Sequence, residues 1–179
     1  MKCPHCQTSE LKPTMIEEFL PAMGCDTCHG SLVSLLYYRH WAETQKTKPR
    51  ADNPCRAEGL ETRETVKAIL CPKCSRLMNK YKLTGGVSNR VDVCATCDEA
   101  WLDGGEWELL EALHLDLNMP AIFTEAWQRR IRHELSEETR KSVLTRLVGV
   151  EGTAKVEAFR TWLADNAHKS HILTYLYRS

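Results

Sequence analysis

The chain has 179 residues, 42% apolar and 27% charged, with 24 Lys and Arg balancing 24 Asp and Glu and a mean hydropathy of −0.41. Ordinary apolar content at zero net charge excludes a disordered chain, and with no run of 18 apolar residues a transmembrane span is excluded. Zero net charge also argues against a broad electrostatic grip on nucleic acid, which shows as a basic excess.

The length suits one medium domain or two to three small ones. Cysteine is the unusual residue. Cys3, Cys6, Cys25, Cys28, Cys71, Cys74, Cys94 and Cys97 form four C-x2-C pairs, and Cys55 stands apart. Met1 and Lys2 lead straight into Cys3, with no apolar leader segment, so the chain reads as cytoplasmic with reduced thiols. In that setting C-x2-C pairs read as metal ligands or redox dithiols, not as structural disulfides.

Residues 1–42 hold the first copy of a repeat: Cys3-x2-Cys6, eighteen intervening residues, then Cys25-x2-Cys28. Four thiolates from two tight knuckles satisfy tetrahedral Zn²⁺. Phe19 to Gly24 precede the second knuckle with a less regular turn. Cys25 to His29 also spell C-x-x-C-H, a haem-attachment pattern; haem attachment follows export, and the other copy has Asp98 in place of His29. His5 is expected to face solvent.

Residues 43–67 read as a polar linker. They carry Pro49, Pro54 and Gly59 and six basic against five acidic residues, with one helical turn expected near Glu61 to Lys67. Cys55 falls here as a spare thiol.

Residues 68–114 hold the second copy: Cys71-x2-Cys74, nineteen intervening residues, then Cys94-x2-Cys97. Both copies open with C-P-x-C and close with C-x-T-C, at an offset of 68 to 69 residues, which marks a duplication. Tyr81-Lys82-Leu83 and Val91-Asp92-Val93 flank Gly85-Gly86 and predict a hairpin that brings Cys94 to Cys71. Each lobe is too small for a core of its own, so the metal supplies folding energy. Four matched pairs are not explained by buried free cysteines or by one redox dithiol, and zinc accounts for the spacing better than an iron–sulfur cluster.

The run Cys97-Asp98-Glu99-Ala100-Trp101-Leu102-Asp103-Gly104-Gly105-Glu106, after the C-P-x-C knuckle and hairpin, resembles the transcription factor IIB-type zinc ribbon family of bacterial proteins. Trp101, Leu102, Asp103, Gly105 and Glu106 match the family's pattern, while Glu99 replaces its usual Gly. The first copy keeps Gly30 but has Leu32-Val33-Ser34 where Trp-Leu-Asp would stand. The resemblance implies zinc ribbons and a connection to transcription. Trp101 and Leu102 are expected to pack over the zinc site, with Asp103 and Glu106 starting a helix that runs to about His114. The alternative for this Trp-bearing face is a partner-docking surface.

Residues 115–179 read as an all-α region. Phe123, Trp127, Ile131 and Leu135 recur at i, i+4 steps; Ser136 is the expected N-cap of a second helix whose apolar stripe stops at Gly149; Thr153 is expected to cap a third and Ser170 a fourth. The expected core there is Trp127, Ile131, Leu147, Phe159, Trp162 and Leu163. Arg129, Arg130 and Arg132 make the one basic cluster, read as a solvated face.

The fold class expected is therefore α+β: two small zinc ribbons, each with a following helix, and a C-terminal helical domain. The function expected is that of a zinc-binding adaptor with two Zn²⁺ per chain, held by the eight paired cysteines, and a protein partner in preference to nucleic acid. Four thiolates close each site, and no nucleophile motif, phosphate loop or H-E-x-x-H occurs, so no enzyme is expected. A nucleic-acid-binding regulator and a zinc-thiolate redox sensor are the alternatives.

Overall fold

The computed structural model describes residues 1–46 and 60–178. They form a mixed α and β chain in two compact units, Met1–Arg132 and His133–Ser179. Cys55 and most of the expected linker lie outside the described residues.

In the first unit each repeat supplies a hairpin, a third strand and a helix. The first gives β1 (Lys12–Glu17), β2 (Leu20–Gly24), β3 (Ser31–Ser34) and α1 (Leu35–Gln45). The second gives β4 (Asn79–Lys82), β5 (Arg90–Cys94), β6 (Glu99–Leu102) and α2 (Glu106–Ala112). All six strands join one antiparallel sheet in the order β1-β2-β3-β6-β5-β4.

The central pairing carries an internal symmetry. β3 meets β6 with Leu32 opposite Trp101, which are equivalent positions of the two copies; Ser31 opposite Leu102 and Val33 opposite Ala100 are exchanged by the same operation. A pseudo-two-fold axis thus passes between Leu32 and Trp101, and the duplicated chain folds as a dimer of itself.

Side chains alternate across a strand, and the core divides accordingly. Val33, Ala100 and Leu102 pack with Tyr38 and Trp41 of α1 and Trp107, Leu109 and Leu110 of α2. Leu32 and Trp101 pack instead with Cys3, Cys25, Cys28, Cys71 and Cys94. Helices cover one sheet face and the cysteines gather on the other. On the helical face Trp41 and Trp107 meet edge to face at 5.4 Å, and the buried Tyr38 hydroxyl donates to Asp116 O while accepting Met119 N–H. That bond holds the approach to α3 (Met119–Ile122) against α1.

Residues 60–67 form no helical turn, contrary to expectation; they run extended over the second repeat. Arg63 N–H reaches Gly104 O at 2.9 Å, Thr65 N–H reaches Asp103, and Glu64 pairs with Arg90. These tertiary partners outweigh a weak local helix preference.

The helix α4 (Glu125–Ala164) begins in the first unit, where Trp127 Nε1 donates to Leu83 O at 3.0 Å. It does not break at Ser136. Serine costs a helix interior only about 0.5 kcal/mol, so the chain stays helical until Gly149, whose φ of 74° and ψ of 173° end the turn. In the second unit the two arms fold back about Gly149: Glu137 pairs with Arg160, Lys141 with Glu157, and the Thr153 hydroxyl meets that of Thr145. Thr153 is inside the second arm and donates to Gly149 O; α5 (Lys169–Tyr177) follows and includes Ser170.

The expected helical core needs correction. Ile131 and Leu163 are buried and Trp127 is half-buried, but Leu147, Phe159 and Trp162 are exposed. The hairpin seam is made of ion pairs and threonines, which turns those apolar residues outward.

Candidate metal centres

All eight paired cysteines come together as the sequence pairs them. The sulfurs of Cys3, Cys6, Cys25 and Cys28 lie within 4.8 Å of one another, as do those of Cys71, Cys74, Cys94 and Cys97. Four sulfurs about 2.3 Å from a tetrahedral ion stand about 3.8 Å apart. Cys3 to Cys28 is 3.6 Å, Cys6 to Cys25 is 3.9 Å and Cys74 to Cys94 is 3.6 Å. Each set fits one metal ion and fills its coordination sphere with sulfur.

The knuckles share one backbone device. The residue after the second cysteine of every pair is left-handed: Gln7 (φ 59°), His29 (60°), Ser75 (58°) and Asp98 (55°). In three of them the same residue's N–H closes the turn onto the first cysteine's carbonyl: Gln7 to Cys3, His29 to Cys25 and Ser75 to Cys71, at 2.8 to 2.9 Å. His29, which the sequence marks as haem-like, thus occupies a turn position common to all four knuckles. A left-handed non-glycine residue carries local strain, and its recurrence at one position is the backbone signature that spacing alone did not reveal.

The sequence also missed that the two centres share one core. Leu32 and Trp101 sit on the pseudo-two-fold axis between them, both buried. Trp101 therefore packs against the cysteines as expected and is not a docking face, whereas Leu102, expected beside it, alternates to the helical face; Trp107 is buried as well. A Cβ on Gly30 would lie 2.3 Å from Trp101 Cζ2. This explains the asymmetry of the copies: Gly30 makes room for Trp101, while its equivalent, Glu99, is related by symmetry to the smaller Leu32. Glu99 is buried and pairs with Lys73 at 2.5 Å.

The electrostatics prepare thiolates. Burial raises the Cys25 thiol, but the amides of Cys28 and Thr27 and neighbouring thiols bring it down to about 6. Amide donation from Arg76, with the Cys97 thiol, lowers Cys74 to about 7. Hydrogen bonding to Cys74 in turn drives Cys97 up to about 12. In each cluster one sulfur ionises readily, while burial raises the thiols of Cys3, Cys28 and Cys71; a bound cation would displace their protons.

Asp103 anchors the second centre to the rest. Its Oδ1 accepts from Trp101 Nε1 and from the Thr65 hydroxyl, both at 2.8 Å, and that hydroxyl also meets His5 Nδ1 at 2.6 Å. His5 is exposed yet bonded, so it joins the first knuckle to the second repeat. Glu106 accepts the Asp103 N–H at 2.9 Å and also accepts from the Asn89 side-chain amide.

A cavity of about 510 Å³ opens between the two C-P-x-C knuckles. Its walls are symmetry mates: Lys2 with Leu70, Cys3 with Cys71, Pro4 with Pro72, Gln7 with Ser75. It lies on the axis that relates the copies.

The basic cluster is partly engaged. Arg130 stacks over the Trp127 ring at 4.2 Å and Arg132 pairs with Glu125. Among the described residues no helix is long and apolar enough to cross a membrane. No family model, curated protein or solved structure matches the chain.

Proposed function

We propose that this chain is a cytosolic zinc-binding adaptor, in which two structural Zn²⁺ ions rigidify a duplicated sheet that binds a protein partner. The observation that carries this reading is the convergence of two complete four-sulfur sets on one sheet face. Zinc suits such sets because it is tetrahedral, takes thiolate and has no redox chemistry of its own. Four protein ligands leave no position for a substrate or an activated water, which favours a structural role over catalysis. The resemblance of residues 71–113 to the transcription factor IIB-type zinc ribbon family supports a role for the adaptor in transcription.

Protein is preferred to nucleic acid on charge. Residues 1–42 carry three basic against four acidic residues, and residues 68–114 five against seven. Arg130 stacks on Trp127 and Arg132 pairs with Glu125, which weakens that cluster as a phosphate-gathering surface. The cavity on the pseudo-two-fold axis, rimmed by exposed Leu70, offers such a partner a preformed seat.

Metal analysis of protein purified under reducing conditions tests the first half: two zinc equivalents per chain are expected, and fewer than two defeat the reading. Cobalt substitution should give the visible bands of a tetrahedral four-thiolate site. Affinity capture from the native cell, repeated with Leu70→Glu, tests the second half; a stoichiometric protein lost with the variant is expected. Tight binding to non-specific duplex that weakens steeply with salt would reverse the order of partners. A redox-sensing role has one observation in its favour, the half-exposed Cys6, Cys74 and Cys97; zinc release at stoichiometric peroxide would establish it.

A further inference from the structure

The cavity between the two C-P-x-C knuckles is walled by open strand edges. Cys3 N–H bonds to Ser9 O and Leu11 N–H to Met1 O, so Lys2 stands opposite Glu10 as a non-hydrogen-bonded pair of a short antiparallel ribbon. In such a pair each residue turns its own N–H and C=O away from the facing strand. The second copy repeats the arrangement. Cys71 N–H bonds to Arg76 O and Met78 N–H to Ile69 O, which leaves Leu70 opposite Leu77 with its N–H and C=O turned outward. Among the described residues, neither Lys2 nor Leu70 uses its backbone N–H or C=O in a hydrogen bond.

Both open edges face the cavity. Lys2 and Leu70 line it as symmetry mates, whereas Glu10 and Leu77 do not, so the facing strands stand behind them. Each edge ends two residues on, at Pro4 and Pro72, which also line the cavity and carry no N–H. A space of about 510 Å³ is thus flanked on two sides by unpaired backbone donors and acceptors of extended chain. Open edges of this kind are templates for another strand. The two walls differ in their side chains. Lys2 is exposed and, among the described residues, has no carboxylate within ion-pair distance. Leu70, its mate, is 55% exposed.

We propose that this groove takes an extended peptide segment of a protein partner, inserted between the two ribbons, with a carboxylate set against Lys2 and a branched apolar side chain against Leu70. The proposal rests on the protein-adaptor reading and adds the conformation and chemistry of the segment that is bound. Backbone pairing selects a strand over a helix, because a helix spends its N–H and C=O groups on itself and would leave the two edges unmet. The side chains select the sequence: the cationic wall complements an acid and the apolar wall an aliphatic residue. A nucleic-acid strand would satisfy Lys2 alone.

Selection of a displayed library of random peptides, about ten residues long, on the metal-loaded full chain tests this. Enriched sequences are expected to combine Asp or Glu with Val, Ile or Leu in a stretch free of proline. A synthetic copy of the most enriched peptide should bind with a Kd of about 100 µM or tighter. N-methylation of its central amides removes donors and keeps the side chains, and should weaken binding at least about tenfold. Lys2→Glu should weaken it similarly and shift the preference to the same peptide with Lys in place of the acid. Leu70→Ala, a milder change at an exposed position, should also weaken binding while both metal equivalents are kept. Absence of enrichment, enrichment of basic or helix-patterned sequences, or binding indifferent to N-methylation overturns the proposal. A native partner retained by the Lys2→Glu and Leu70→Ala chains would remove the groove and leave the adaptor standing, whereas fewer than two zinc equivalents would remove the adaptor itself.

Discussion

Gly30 and Glu106 show how much individual side chains in the first unit depend on their surroundings. Gly30 is outside the left-handed region, so its requirement is one of space: the Trp101 ring occupies the place of its Cβ, and the Leu102 carbonyl stands 3.0 Å from it. Gly30→Ala should cost about 3 kcal/mol, the upper end of overpacking, because neither the central tryptophan nor a sheet carbonyl can yield. Urea unfolding of the metal-loaded chain would measure it. Glu106 is fully buried, and burial pushes its carboxyl up to about 8; the Asp103 amide opposes that rise, while the charges of Asp103 and Asp92 add to it. Its folded value lies above the unfolded one, so its stabilisation is complete below about pH 4.5 and fades as pH climbs towards 8. Glu106→Gln should therefore gain stability relative to the parent between pH 5 and 8, by at most about 1.4 kcal/mol per pH unit. A difference that stays flat across this range would show Glu106 ionised throughout.

At the scale of elements, strand and helix boundaries follow the local chemistry only where backbone geometry is decisive. The second hairpin forms where Gly85-Gly86 separates two alternating strands, with Lys82 opposite Arg90. Gly149 stops the stripe as its lack of a Cβ permits. Its angles belong to a region that only glycine enters freely, and a Cβ there would meet no atom within 4 Å. Gly149→Ala should thus cost about 1–3 kcal/mol through backbone strain alone, read as a lower melting temperature of the helical unit. An unchanged melting temperature would mean that the arms can join by another route. Ser136 makes the opposite point. A capping residue followed by two acids resembles a helix start, but without a breaker before it the helix simply passes through.

For the molecule as a whole, the duplication matters more than either copy. Both cysteine sets border the same Leu32 and Trp101, and β3 and β6 are hydrogen-bonded along their length. Loss of one metal should consequently weaken both halves. With Cys71 and Cys74 replaced by Ser, the Met1–Arg132 unit is expected to melt in one transition and the surviving Cys3 set to bind metal about tenfold or more weakly. Independent melting of two lobes, with unchanged affinity at the first site, would contradict a shared core. Metal affinity at either site should also fall as pH drops, since protons compete for the sulfurs.

The four C-x2-C pairs, their grouping in fours, the duplication and the helical character of the tail were legible in the sequence, because knuckle spacing and helical periodicity are local properties. Whether Trp101 faced solvent or core was not local: its burial depends on Gly30, 71 residues away and in the other copy. The same holds for the extended path of residues 60–67, fixed by Asp103 and Arg90, and for the outward turn of Leu147, Phe159 and Trp162. Strand β3 was hidden because four residues, Ser31 to Ser34, have no pattern of their own until β6 supplies their hydrogen-bond partners. That the two cysteine sets share one sheet face came only with the fold, since pairing across a pseudo-two-fold axis is a contact between distant segments, and no short window of sequence encodes its energy.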